Sequence, residues 1–168
     1  GCTFSDNNVL DCLHDCLVAI NPSDTTITSA NEISPMISNN NINLRGDHAN
    51  YGIYLKGVSR PRITGNVISN QPTICLYLEK CGTLWITNNV LFSSRGDITE
   101  NLKIVGVSGD EVFVAGNMLT SFQNANNTFA NISGVSKVYT GINTKLGSGT
   151  AIVSNVTPLK LGEDNHMW

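Results

Sequence analysis

The sequence predicts an all-β fold, a parallel β-helix solenoid of about five to six rungs followed by a short C-terminal strand or cap segment. The stretch 53–63 recurs at 76–86 and 104–114, and in each copy a second apolar anchor lies ten residues after the first. An Asn follows each second anchor after three residues, at Asn66, Asn89 and Asn117. Apolar residues alternate over short segments bounded by Gly, Asn, Asp and Ser, which is the period of strands rather than of helices.

Two weaker copies, 27–37 and 129–139, extend the repeat in both directions. First anchors therefore fall at 27, 53, 76, 104 and 129, with intervals of 26, 23, 28 and 25 residues. The copy at 129–139 carries Ile142 where the Asn is expected. A repeat of this length, built of short β-rich segments, is typical of a solenoid in which equivalent strands stack about 4.8 Å apart.

The Asn that follows each second anchor has two physical explanations. Asn tolerates the left-handed backbone conformation of a sharp bend, and stacked Asn amides can form a hydrogen-bonded ladder. The repeat therefore predicts one column of Asn40, Asn66, Asn89 and Asn117.

Composition favours one globular core and disfavours two classes of partner. The chain has 168 residues, of which 40% are hydrophobic and 14% are charged, which is enough for a single domain. A net charge of −3 gives no basic surface for nucleic acid. Because no apolar run approaches the roughly 20 residues of a membrane span, we expect no membrane insertion.

The pattern divides the chain into a β-helix, residues 1–145, and a C-terminal cap or oligomerisation tail, residues 146–168. The segment from Phe4 to Asn7 repeats the second-anchor pattern, yet its first anchor would precede Gly1. We therefore expect the chain to begin in the middle of a rung and to be part of a longer protein.

The five cysteines predict no disulfide framework and no cofactor. Their odd number suits a reducing compartment during folding. Cys12 and Cys16 flank His14 but lack a second ligand pair at zinc spacing, so we expect no metal and instead apolar packing in a short helix over 12–20. Cys81 replaces Val58 of the previous rung, which predicts a thiol in the core.

Outward-facing positions of the two central rungs suggest a ligand surface. In the predicted register Tyr54 lies over Tyr77, Lys56 over Glu79 and Arg62 over Trp85, and Val105, Val107 and Phe113 follow in the next rung. Aromatic rings can stack on the apolar faces of a sugar while charged neighbours bond to its hydroxyls. The alternative is that the same pairs stabilise adjacent rungs without any ligand.

Two loops after the Asn column carry candidate catalytic acids. Arg45-Gly-Asp47-His48 follows Asn40, and Arg95-Gly-Asp97 with Glu100 follows Asn89. Two rung steps place the loops about 9–10 Å apart, near the separation of about 6.5–9.5 Å between the carboxylates of inverting glycosidases. Asp47 and Asp97 could serve as general acid and base, with Glu100 as substitute and His48 sharing the proton. The alternative is that each Arg pairs with its own Asp around a Gly turn.

The sequence segments 52–57, 63–68 and 86–91 resemble the repeats of right-handed, pectin-lyase-like parallel β-helices. Such repeats occur in polysaccharide lyases and hydrolases and in bacteriophage tailspikes. The tailspike resemblance implies a homotrimeric protein of the virion tail, folded in the host cytoplasm, that recognises capsular polysaccharide or lipopolysaccharide and in some cases depolymerises it. Two alternatives remain open, a secreted polysaccharide lyase, hydrolase or epimerase and a structural trimer stalk without catalysis.

On this interpretation the sugar-binding residues come from the two central rungs and from the two loops. They are Tyr54, Lys56, Arg62, Tyr77, Glu79, Trp85, Arg45 and Arg95. Any enzymatic activity would be that of a glycoside hydrolase or polysaccharide lyase acting on bacterial surface polysaccharide.

Overall fold

The chain forms a parallel β-solenoid, which confirms the predicted fold class. The computed structural model describes residues 2–12, 14–20, 34–45, 50–70, 73–93, 100–106, 111–121, 128–147, 150–154 and 158–160. In these ranges every regular element is a strand, and every pair of neighbouring strands is parallel. No helix of the described residues is long and apolar enough to cross a membrane.

Three sheets share the strands, and every third strand along the chain joins the same sheet. Sheet A contains β1 (Thr3–Ser5), β4 (Met36–Ser38), β7 (Arg62–Thr64), β10 (Leu84–Thr87), β13 (Glu111–Ala115), β16 (Lys137–Thr140) and β19 (Pro158–Lys160). Sheet B contains β2 (Asn8–Cys12), β5 (Asn41–Leu44), β8 (Val67–Asn70), β11 (Val90–Ser93), β14 (Met118–Ser121) and β17 (Thr144–Gly147). Sheet C contains β3 (Leu17–Ile20), β6 (Tyr51–Lys56), β9 (Ile74–Glu79), β12 (Glu100–Val105), β15 (Thr128–Ser133) and β18 (Thr150–Ser154).

The chain therefore visits sheets A, B and C in turn, and each circuit stacks on the one before it as a rung. The strands β17, β18 and β19 continue the three sheets toward the C-terminus. The division at residue 145 into a β-helix and a cap or oligomerisation tail stays a prediction.

The core consists of apolar columns, with each sheet contributing side chains from successive rungs. Sheet A contributes Ile37, Ile63, Ile86 and Val114; sheet B contributes Ile42, Ile68, Leu91 and Leu119; sheet C contributes Leu55, Leu78, Ile104 and Ile132. All of these side chains are buried. Burying each Ile or Leu contributes about 1.5–3 kcal/mol, so the alternation seen in the sequence is what closes the solenoid.

The predicted register of sheet C is wrong beyond the second central rung. Ile53 pairs with Leu76 as expected, but Leu76 pairs with Leu102 rather than with Ile104, and Ile104 pairs with Ile132 rather than with Phe129. Side chains of a strand alternate between two faces, so a shift of two residues keeps the same face toward the core. The apolar pattern alone therefore cannot distinguish Leu102 from Ile104.

The sequence also misplaced the second anchor of the 129–139 copy by one residue. Val114 pairs with Thr140, while Tyr139 pairs with Phe113 and faces outward. This register places Asn143, rather than Ile142, three residues after the anchor. At the other end of the chain Ile53 pairs with Leu17, so the predicted alignment of residue 27 with Ile53 is wrong; residue 27 itself lies outside the described residues.

The Asn column is confirmed and is longer than predicted. Asn40, Asn66, Asn89 and Asn117 are buried and bonded in series, with Asn7 before them and Asn143 after them. From Asn40 to Asn143, each Oδ1 accepts two hydrogen bonds from the Asn of the preceding rung. In one such step Asn66 donates its backbone N–H and its Nδ2 to Asn89 Oδ1 at 3.0 and 2.9 Å. We call this column the asparagine ladder.

The left-handed backbone conformation lies one residue before the ladder, not on it. Positive φ angles occur at Asp6 (59°), Asn39 (56°), Gly65 (68°), Asn88 (58°) and Gly116 (70°). From Asn39 onward Asn and Gly alternate in this column, because a Cβ at Gly65 would overlap the Asn39 side chain and one at Gly116 would overlap that of Asn88. The bend and the ladder are thus made by different residues.

The short helix expected over 12–20 is not formed. The strand β3 lies there instead, with Leu17 and Ala19 packed against the core and Val18 and Ile20 facing outward. The alternation of these four residues fits a strand, and their spacing is too short to define a helical face.

The core thiol predicted at Cys81 is confirmed. Cys81 is 2% exposed, Cys75 is also buried, and neither forms a disulfide. Burial raises the pKa of the Cys75 thiol to about 12, so this thiol packs as an apolar side chain.

We expect Asn89→Ala to lower the free energy of unfolding by at least about 3 kcal/mol. The change removes the acceptor of the Asn66 N–H, one of the three acceptors of Asn66 Nδ2 and the amide that bonds to the Ile63 carbonyl, and each buried unpaired group costs about 1–3 kcal/mol. Chemical denaturation measures the loss. Asn88→Gly is the matched control, because Gly already occupies this position in two rungs, and it should change stability by less than about 1 kcal/mol. Equal effects of the two substitutions would contradict a structural role for the ladder.

Candidate functional site

The outward face of sheet C carries the first group of candidate residues. Tyr54 pairs with Tyr77, and Lys56 pairs with Glu79, as predicted. In the next rung Lys103 lies beside Tyr77, and Val105 lies beside Glu79. The sequence placed Val105 beside Tyr77 and Val107 beside Glu79, and both assignments are wrong because of the two-residue register shift.

Three tyrosine rings gather on this face. The rings of Tyr54 and Tyr77 stack with centroids 4.9 Å apart and planes 12° apart. Tyr51 contacts both, at 4.9 Å from Tyr54 and 5.4 Å from Tyr77, but its plane is tilted by 39° and 43°. Asp15 holds the start of this strand, because its Oδ1 accepts the backbone N–H groups of Asn50 and Tyr51, each at 2.8 Å.

Sequence reasoning missed Tyr51. It lies two residues before the first anchor Ile53, where the compared rungs carry Ile74 and Glu100. No aromatic residue recurs there, so the repeat gives no signal. Strict alternation with the inward Ile53 would even turn Tyr51 toward the core, so its contact with the outward rings could only be found in the structure.

Glu79 connects two of the tyrosines with a lysine. Its Oε2 accepts the hydroxyls of Tyr54 at 2.8 Å and Tyr77 at 3.3 Å, and its Oε1 lies 3.2 Å from Lys56 Nζ. Burial acts to raise the pKa of Glu79, but the hydrogen bonds from Tyr54 and Lys56 outweigh it and hold that pKa below its ordinary value. Glu79 is therefore a fixed anion that orients both hydroxyls.

Burial, together with the same carboxylate, raises the pKa values of the two tyrosine hydroxyls. Burial, with the charge and hydrogen bond of Glu79, raises the pKa of Tyr77 to about 12. Burial followed by the hydrogen bond to Glu79 raises the pKa of Tyr54 further above its ordinary value. Both hydroxyls therefore act as neutral donors near neutral pH and not as bases.

A second charged pair lies on the next rung. Lys103 Nζ lies 5.6 Å from the Tyr77 ring centroid and 3.5 Å from Glu100 Oε1. Asn131 Nδ2 donates to the same Glu100 oxygen at 3.2 Å. Glu100, predicted as a substitute catalytic acid, is buried and engaged in these contacts. We use the name sheet C cluster for Tyr51, Tyr54, Lys56, Tyr77, Glu79, Glu100 and Lys103.

Two other predicted binding residues, Arg62 and Trp85, lie on a different sheet. Arg62 pairs with Trp85 and Trp85 with Phe113, as predicted, but on sheet A. The Arg62 guanidinium lies 5.3 Å from the Trp85 ring centroid. Trp85 and Phe113 stack at 5.7 Å with planes 3° apart, and Phe113 and Tyr139 stack at 4.5 Å with planes 9° apart. We call these four residues the sheet A stack.

The candidate residues of the loops are mostly outside the described part of the chain. Asp47, His48, Arg95 and Asp97 are not among the described residues, so the separation of the two acids stays a prediction. Arg45 is exposed and directly follows β5. The segments that carry the two acids join sheet B to sheet C, between β5 and β6 and between β11 and β12, in rungs two steps apart.

Comparison of the chain with protein-family models, with curated proteins and with solved structures found no match. The class established by the structure is an all-β parallel β-solenoid with three sheets. Any functional conclusion must therefore come from the arrangement of side chains on its faces.

We expect Glu79→Gln to lower the pH at which Tyr54 and Tyr77 ionise. Because the tyrosine pKa values are higher in the folded protein than in the unfolded chain, where the pKa is about 10, their contribution to stability is fully present below about pH 10. This contribution is lost as the pH rises through the pKa values of the folded protein. Removing the Glu79 charge removes part of the shift. The ultraviolet absorbance of the phenolate, followed against pH, measures the change.

The matched control for this titration is Asp6→Asn, which removes one negative charge at an exposed position away from sheet C. It should leave the ionisation of both tyrosines unchanged. If Glu79→Gln also left the curve unchanged, Glu79 would not control these hydroxyls.

Proposed function

We propose that this chain is a tailspike-like β-helix module that recognises bacterial surface polysaccharide, capsular polysaccharide or lipopolysaccharide, on the sheet C cluster. The observation that carries the proposal is the tilt of Tyr51 against the stacked pair of Tyr54 and Tyr77. A tilted third ring makes an angled apolar surface beside polar groups, whereas a continuous stack would cover the faces of its rings.

The chemistry of the cluster suits a pyranose ring. Apolar C–H faces of a sugar pack on aromatic rings, while sugar hydroxyls need donors and acceptors close by. Lys56, Glu79 and Lys103 supply these groups, and their side chains are 20–30% exposed. The hydrogen bonds within the cluster orient the rings before any ligand arrives, which lowers the entropy cost of binding.

A solenoid also suits a polymeric ligand. Successive rungs repeat the same backbone position about every 4.8 Å, and stacked repeats form extended binding surfaces. A polysaccharide can therefore contact Tyr54, Tyr77 and Lys103 in three successive rungs.

Depolymerisation and trimer formation complete the tailspike proposal. Hydrolysis would use Asp47 and Asp97 as general acid and base, with Glu100 as substitute and His48 sharing the proton. The homotrimer and a place in the virion tail are expectations from the resemblance of the repeats. A secreted lyase, hydrolase or epimerase is the alternative for the same surface.

The sheet A stack favours a second candidate, a structural stalk. Its rings lie nearly parallel, at 3° and 9°, and Arg62 lies over the ring of Trp85. Such contacts stabilise adjacent strands by about 0.2–1 kcal/mol per pair without any ligand. The side chains on this face therefore stabilise the stacking of successive rungs.

We expect the purified chain to bind some members of a panel of capsular polysaccharides and lipopolysaccharides, and Tyr51→Ala to weaken that binding about 2–10-fold. The expected loss follows from about 0.5–1.5 kcal/mol for an aromatic contact. Size-exclusion chromatography with light scattering reports binding and oligomeric state, and the length of the polysaccharide is followed in parallel.

The matched control for this experiment is Tyr139→Ala, which removes the same side chain from sheet A. The affinity of this variant for the polysaccharide should stay within about twofold of that of the unsubstituted protein. Shortening of a polysaccharide would justify single substitutions of Asp47, Asp97 and Glu100. Binding to none of the polysaccharides would overturn the proposal and favour the structural stalk.

A further inference from the structure

We infer that the sheet C cluster selects uncharged sugars over acidic ones, an inference that rests on the proposed function. The cluster contains cations, yet each cation lies beside a carboxylate of a neighbouring position. The selected class is therefore a neutral polysaccharide, not one rich in uronic or sialic acid.

The charges on this face balance. Among the described residues of the sheet C strands, the charged ones are Lys56, Glu79, Glu100 and Lys103. Lys56 Nζ lies 3.2 Å from Glu79 Oε1, and Lys103 Nζ lies 3.5 Å from Glu100 Oε1. Two positive and two negative charges in direct contact give no net field to attract a distant anion.

The glutamates are also held in place more firmly than a mobile surface pair. Two tyrosine hydroxyls bond to Glu79, and Asn131 bonds to Glu100. A carboxylate group on a sugar that approached Lys56 or Lys103 would meet a fixed carboxylate within one rung. Like charges at that distance repel, whereas a sugar hydroxyl can bond to the partly exposed side chains of Lys56, Glu79 and Lys103.

Within the described residues, a carboxylate and two apolar side chains border the cluster. Asp15, whose carboxylate oxygen accepts the backbone N–H groups of Asn50 and Tyr51, places a negative charge at the Tyr51 end. In the preceding rung Val18 pairs with Tyr54, and Ile20 follows it two residues later. Both side chains are exposed and apolar, so a neutral ligand can extend over them without losing a charged contact.

The test compares uronate-containing capsular polysaccharides with their carboxyl-reduced forms, together with neutral O-antigens, at ionic strengths of about 0.01 and 0.15 M. We expect the carboxyl-reduced and neutral forms to bind more tightly than the native acidic forms. Their Kd should change by less than about twofold between the two salt concentrations, because screening acts only between charges.

Glu100→Gln tests the origin of the selectivity. The substitution keeps the shape and the bond from Asn131 but removes the carboxylate partner of Lys103. We expect the variant to gain about fivefold in affinity for the acidic forms at low salt, and to lose this gain at high salt. Glu111→Gln is the matched control, because it removes the partner of Lys137 at 3.2 Å on sheet A, and it should give no gain.

The outcomes separate the two proposals. Tighter binding of the native acidic forms, with a Kd that rises more than about tenfold with salt, would overturn the selectivity but leave polysaccharide recognition intact. Binding of none of the forms would overturn both. If Glu100→Gln and Glu111→Gln gained equally in affinity for the acidic forms, the effect would be due to the net charge of the protein. The inference that the sheet C cluster selects against acidic sugars would then be overturned.

Discussion

The asparagine ladder fixes each rung on the next, and the positions of all other side chains depend on it. Each buried Oδ1 accepts both a backbone N–H and a side-chain amide from the preceding rung, as Asn89 does for Asn66. The Nδ2 of Asn89 also bonds to the Ile63 carbonyl. A slip of one residue would break all of these bonds and leave polar groups buried without partners, at about 1–3 kcal/mol each. Apolar packing tolerates a slip of two residues, but the ladder does not.

The strand register that the core side chains set also determines which side chains become neighbours on the outward face. Because Ile53 and Leu76 are paired within the core, Tyr54 must lie beside Tyr77 on the opposite face. The same pairing carries Glu79 to Lys56, where it also reaches the hydroxyls of both tyrosines. The cluster is therefore a consequence of rung stacking, and its side chains are oriented by a backbone that the ladder has already fixed.

The sequence was sufficient to predict the fold class, the Asn column and the outward pairs of the two central rungs. These features repeat without gaps, so their spacing is unambiguous. The prediction failed in the later rungs for two physical reasons. A register shift of two residues at Leu102 keeps the same face of the strand toward the core. In the last rung the inward residue is the polar Thr140, so the more apolar Tyr139 beside it was taken as the anchor. Tyr51 was missed because no aromatic residue recurs at its position, and Lys103 was missed because the predicted register placed Val105 beside Tyr77. The left-handed bend was assigned to the ladder itself, although it lies one residue earlier in the chain, before Asn7, Asn40, Asn66, Asn89 and Asn117.

The two aromatic faces show how similar residues can serve different ends. On sheet A the rings of Trp85, Phe113 and Tyr139 are nearly parallel, so each ring face is used by its neighbour. On sheet C the tilt of Tyr51 interrupts that order, and the carboxylate of Glu79 adds a second link between rungs beside the stacked rings of Tyr54 and Tyr77. A carboxylate link leaves ring surface and hydrogen-bonding edges available to a ligand, and it cancels the charge of the adjacent lysine. The pairing that stabilises this face is thus the same pairing that favours a neutral ligand on it.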